Sequence, residues 1–90
     1  MFTWDEAKRK VNLAKHGIDF RDAERIFDGP LVTAEDAREN YGERRYVALG
    51  LLEGVVVSVA YTERHDEVRV ISIRKALKHE ARFYTSQIIK

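Results

Sequence analysis

Three β-rich runs, Tyr46–Leu52, Val55–Thr62 and Glu67–Ile73, stand so close together that they leave the chain little topological choice. Only Glu53-Gly54 separates the first two, and only Glu63 to Asp66 the second pair. A parallel pairing needs a crossover of about a dozen residues or more, whereas links this short suit hairpins. The three runs therefore predict an antiparallel meander. Val55-Val56-Val57 with Val59 is apolar on both faces, so the second run is expected to be the central strand, covered on each side. In the third run, regular alternation predicts Arg69, Ile71 and Ile73 on one side and Val68, Val70 and Ser72 on the other. Arg74 follows on the Ser72 side.

The flanking segments have helical period. Phe2 to Trp4 is read as a short opening strand, after which Asp5 and Glu6 place negative charge in the first turn of a helix, where the dipole favours it. Trp4, Ala7, Val11 and Ala14 predict a buried stripe. Lys8, Asn12, Lys15 and His16 fall at i, i+4, i+7 and i+8 and form a contiguous polar stripe. Gly17 is the expected left-handed stop. Asp19 is then an N-cap for a second helix, with Asp22 bonding back and Ile18 stapled onto Ala23. Its apolar face is Phe20, Ala23, Ile26 and Phe27, and Asp28-Gly29-Pro30 ends it. Leu31 and Val32 open a strand that leads into a polar stretch, Glu35 to Glu43, read as an exposed turn. After Arg74, Leu77, Ala81, Tyr84 and Ile88 predict a last helix with a core stripe. The expectation is an α+β fold in a single domain, residues 1–90: a curved antiparallel sheet with two N-terminal helices and one C-terminal helix.

Composition narrows the chemistry. There is no cysteine, and His16, His65 and His79 lack zinc spacing, so thiolate and zinc sites are excluded. No apolar run reaches the length of a membrane span, and polar helix-forming sequence follows Met1 at once, which predicts a cytoplasmic protein without a secretory leader. The net charge of +1 excludes a uniformly basic coat, but the charges are segregated. Residues 19–43 hold eight acids and three bases, residues 64–90 three acids and seven bases.

No phosphate-binding glycine loop, nucleophile elbow or paired metal-ligand motif occurs. Cations, histidines, a tyrosine and acids remain, the groups that cleave RNA without metal: a base for the 2′-hydroxyl, cations for charge on phosphorus, an acid for the leaving oxygen. Arg74, between Ser72 and a basic helix start, is placed to fork a phosphate, or else to pair with Glu80. His16 at a helix C-terminus is stabilised as a cation by about 0.3–1 kcal/mol through the dipole, with no function required. His65 and His79 read as solvated surface residues. Glu80 and Tyr84 share a helix face, although Tyr84 also belongs to the core stripe.

The opening stretch resembles the start of BrnT-type toxins, whose pattern appears here as Trp4, Asp5, Lys8, Asn12, Lys15, His16, Gly17, Ile18, Phe20, Ala23, Phe27 and Asp28. Thr62, Arg64, Arg69, Ile71, Ser72, Arg74, Glu80 and Tyr84 match the family's later strand and helix motif. Gly29 between Asp28 and Pro30, and Ile73 in place of alanine, depart from it. The resemblance implies a RelE-like small ribonuclease fold and an endoribonuclease toxin of a type II toxin–antitoxin pair that arrests growth. It implies RNA as substrate and a ribbon-helix-helix antitoxin of BrnA type, with operator DNA engaged only through the complex. No cofactor, metal or membrane is expected. On this reading His16 acts as acid or base, Arg64 and Arg74 stabilise the phosphate, and Tyr84 positions substrate. Lys8, Asn12, Lys15 and Arg69 bind RNA, with Glu63 and Glu80 as reserve bases. The alternative is a non-catalytic RNA-binding or regulatory module that uses the same basic face.

Overall fold

The computed structural model describes residues 1–89. The three central strands are β3 (Arg45–Leu52), β4 (Val55–Arg64) and β5 (Glu67–Lys75), preceded by β1 (Phe2–Trp4) and β2 (Val32–Asp36). All five form one sheet in the order β1-β5-β4-β3-β2, so β4 is the central strand, as its doubly apolar sequence predicts. The first hairpin has the expected two-residue link, and the second is tighter than the sequence suggests. Glu53 and Gly54 both have positive φ, 51° and 80°, the pattern of a two-residue type I′ turn. His65 and Asp66 alone join β4 to β5.

The sheet is mixed rather than antiparallel. β1 pairs with β5 in parallel, Phe2 opposite Val68 and Trp4 opposite Val70. Residues 5–66 lie between these strands, so no hairpin constrains their direction. β2 takes the other edge, antiparallel to β3, and includes Glu35 and Asp36, which the sequence reading placed in a turn.

The expected alternation in β5 fails at Ile71. Ala60 pairs with Ser72 but Tyr61 with Val70, so Ile71 is the extra residue of a β-bulge. Beyond it the sides exchange, and Val70 and Ile73 both enter the core with Val57, Val59 and Tyr61. Arg69, Ser72 and Arg74, opposite Thr62, Ala60 and Ser58, share the other face.

The helices divide between the faces. α2 (Ala23–Asp28), entered through a 3-10 turn at Phe20–Asp22, packs Phe20, Ala23 and Ile26 onto the core face. Asp19 caps the turn by accepting from the Arg21 N–H, while Asp22 takes Arg25 instead of bonding back. On the opposite face α3 (Lys78–Ile88) lies against β2, β3 and β4 through Tyr84. Leu77 and Ile88, expected in that stripe, are 55% and 37% exposed, because α3 meets the sheet over little more than a turn.

α1 (Glu6–His16) begins and ends as the sequence predicts. Asp5 accepts from the Ala7 and Lys8 N–H groups, and Gly17 closes the helix at φ 71°, a conformation that penalises any side chain with a Cβ. Its packing face is different. Ala7, Val11 and Ala14 are exposed, Val11 by 65%, whereas Arg9 and Asn12 are buried. α1 sits beside β5 where β1 has ended, so it meets strand-edge backbone and the carboxylate of Asp19 rather than apolar side chains. Polar groups satisfy such a surface and methyl groups do not.

Candidate nucleic-acid site

Asn12 and Arg9 position the polar stripe of α1. The Asn12 amide donates to the carbonyls of Ile18 and Ile73, each at 2.9 Å, and its oxygen accepts from the Ile73 N–H at 3.1 Å. Arg9 forms a fork with Glu6 and reaches Asp19 at 3.1 Å, which binds α1 to the turn that follows it. That hydrogen bonding by Arg9 holds the Glu6 carboxyl down to about 2. Asn12, 6% exposed, is thus committed to the frame and offers no group to RNA.

With the helix so fixed, Lys8, Lys15 and His16 line a depression between α1 and β5, of about 330 Å³, whose other walls are Ala7, Val11, Asn12, Ile71 and Ser72. That volume is at the lower end for ligand sites. His16 also borders a neighbouring depression with Glu53, Val55 and Lys75. One imidazole and two ammonium groups around an open cleft supply a proton carrier and positive charge for a phosphodiester. Lys75 has no signal in the sequence that marks it for this place, since a lysine just past the third β-rich run looks like any solvated one.

Arg74 stands two residues beyond Ser72, on the same face, but its fork is engaged. Its two terminal nitrogens donate to the two oxygens of Glu80 at 2.8 and 3.0 Å, and one also reaches the Lys75 carbonyl. These bonds, joined by the Leu77 N–H, hold the Glu80 carboxyl down to about 2 against the opposing effect of burial. A carboxylate with so little affinity for a proton is a poor general base near neutrality.

The remaining candidates lie elsewhere. Tyr84 is 3% exposed and donates to the Pro30 carbonyl at 2.7 Å, and burial pushes its phenol above the usual range. It anchors α3 to the segment before β2. Arg64 and Arg69 line a recessed pocket with Glu43, Thr62 and Glu67 at the hairpin end of β4 and β5. Arg69 and Ser72 stand opposite Thr62 and Ala60, two strand positions apart, or about 7 Å at ~3.3 Å per residue. Glu63 alternates with Thr62 and Arg64 and so belongs to the core side of β4, away from Arg69 and Ser72. His65 and His79 are exposed, as their positions in sequence predict.

No helix among the described residues is long and apolar enough to cross a membrane. None of the curated proteins matches the chain. Residues 4–80 match the family described as the ribonuclease toxin, BrnT, of a type II toxin–antitoxin system. The matched stretch contains β1 in part, all of α1 through β5, and every candidate residue except Tyr84. Carrying the basic α1–β5 depression within a match to most of its length, the chain belongs to the BrnT family of ribonuclease toxins, whose substrate is RNA and whose partner is a protein antitoxin.

Proposed function

We propose that this chain is a metal-independent endoribonuclease whose cleavage centre is the depression between α1 and β5. The observation that carries this reading is the convergence of Lys8, Lys15, His16 and Ser72 on one cleft. His16 transfers the proton, as acid or base. Lys8 and Lys15 neutralise the phosphate that is cut, and their charge is best expressed in a shielded cleft. Arg74 joins them when a phosphate displaces Glu80, an exchange that costs little because the Arg74 side chain is 37% exposed and a pair of this kind is worth at most about 1 kcal/mol. Arg64 and Arg69 hold RNA beyond the cut, and Tyr84 and Asn12 act through the frame. The likeness to RelE-type folds rests on sequence resemblance, as does a ribbon-helix-helix antitoxin of BrnA type that binds operator DNA and blocks RNA cleavage.

The occupied fork of Arg74 favours a second reading, a module that binds RNA without cutting it. The two separate in one assay. Purified protein is incubated with single-stranded RNA in the presence of a chelator, and discrete products are sought. His16→Ala is expected to lower the rate about 10²- to 10⁴-fold with the fold intact. Intact RNA at saturating wild-type protein would favour the module, and cleavage unchanged by His16→Ala would remove His16 from the mechanism.

A further inference from the structure

We infer that the recessed pocket at the hairpin end of β4 and β5 is a base-reading subsite that takes a guanine of the RNA. Its place beside the cut rests on the ribonuclease reading, but its chemistry does not. The pocket holds about 190 Å³ and is lined by Glu43, Thr62, Arg64, Glu67 and Arg69. Thr62 lies opposite Arg69 and Arg64 opposite Glu67, so four of the five are set on two adjacent strands rather than on a loose loop. Rigid elements of this kind hold a recognition geometry better than loops do.

The two charge signs decide what fits. A phosphate accepts hydrogen bonds only, and here it would meet two carboxylates. A nucleobase presents donors and acceptors side by side, and single-stranded RNA is commonly read by such edges, with bases stacked on guanidinium planes. Arg45 lies 3.6 Å from Glu43 and partly neutralises it. Among the described residues no ion pair engages Arg64, Glu67 or Arg69, so these three are available to a ligand.

Guanine matches them best. Its N1–H and N2 amino group give one carboxylate two parallel bonds, and its O6 and N7 accept a guanidinium fork. Cytosine, adenine and uracil each place a single donor group on the pairing edge, which leaves Glu67 half-satisfied. We assign the carboxylate contact to Glu67, the fork to Arg69, stacking to Arg64 and a supporting hydroxyl to Thr62. Because Arg69 and Ser72 share a face, the guanine so held lies along β5 from the α1 cleft.

Short uridine oligomers made uncleavable by 2′-O-methylation, with one central position varied, test this on the wild-type protein by fluorescence anisotropy. Guanine is expected to bind about 5- to 150-fold more tightly than uracil, the range for one bidentate base contact. Hypoxanthine, which lacks the N2 amino group, and 7-deazaguanine, which lacks N7, should each lose part of that gain. Glu67→Gln should abolish the difference between guanine and hypoxanthine. A flat series, an absence of binding, or hypoxanthine equal to guanine overturns the subsite. Cleavage of the matching unmethylated oligomers is read in parallel. Guanine preference without cleavage refutes the ribonuclease reading and keeps the subsite, while cleavage with no preference does the reverse.

Discussion

The side chain of Asn12 bonds both backbone groups of Ile73, accepting from its N–H at 3.1 Å and donating to its carbonyl at 2.9 Å. One amide thereby replaces a strand at the edge of β5, just past the point where β1 stops. Leaving those two buried groups without partners costs about 1–3 kcal/mol each at most. Asn12→Leu is therefore expected to lower stability by about 2–4 kcal/mol in urea denaturation, and to reduce RNA cleavage because α1 no longer holds His16 against Ser72. Retained stability would mean that water or a shifted helix replaces the amide.

The Arg74–Glu80 pair makes a pH-dependent contribution whose sign follows from the lowered carboxyl. Glu80 titrates at about 2 in the folded chain against an ordinary 4.5. Its stabilisation is complete above about 4.5 and is lost as pH falls toward 2. Glu6 and Asp36, also held to about 2 by Arg9 and Arg38, act in the same window. The comparison is therefore between wild type and Arg74→Met. Their stabilities should differ by at most about 1 kcal/mol at pH 6, the difference shrinking below about pH 4.5 and vanishing only below about pH 2.

Releasing Arg74 has a functional counterpart. Glu80→Gln weakens the competitor for the guanidinium fork, so RNA should bind several-fold more tightly than to wild type, measured at fixed salt. Unchanged affinity would place Arg74 outside the RNA contact.

Lys8 and Lys15 are expected to act through charge. Each phosphate contact on single-stranded RNA contributes about 0.7 to the slope of log affinity against log salt. Lys15→Ala should lower that slope by about this amount, whereas Thr33→Ala on the distant edge strand β2 should leave it unchanged.

Gly50 of β3 lets Ile26 of α2 and Leu31 approach its backbone closely. A Cβ there would stand 2.8 Å from Ile26 Cγ2 and 2.8 Å from Leu31 Cδ2, and Ile26 is fully buried. Gly50→Ala should destabilise the protein by about 1–3 kcal/mol through overpacking, read as a lowered melting temperature.

The central meander was legible because alternation and two short links permit one arrangement, and both ends of α1 because Asp5 and Gly17 act locally. The parallel pairing of β1 with β5 was not, since three residues carry no directional signal. Nor was the inward face of α1. Periodicity assigns the apolar side to the core, but at a sheet edge the surface to be covered is backbone, and Arg9 and Asn12 fit it better than Val11. Within the site, the spacing of Lys8, Lys15 and His16 revealed a shared face. The fate of Tyr84, turned onto Pro30, depended on a contact 54 residues away in the chain. The separation of Arg64 from His16 depended on which ends of β4 and β5 they occupy.

The bulge at Ile71 sets a parity. In a regular strand Arg69 and Arg74, five positions apart, would project to opposite faces, and Val70 and Ile73 could not both reach the core. One inserted residue brings each pair into register. Ile71 is thus the one residue of β5 that the alternation of its neighbours leaves out of account. Deleting Ile71 would leave Arg69, Val70, Ser72, Ile73 and Arg74 in regular alternation on the faces they already occupy, so that only the local bend and twist of the bulge would be lost, whereas a residue added elsewhere in the strand would send either Arg69 or Arg74 inward.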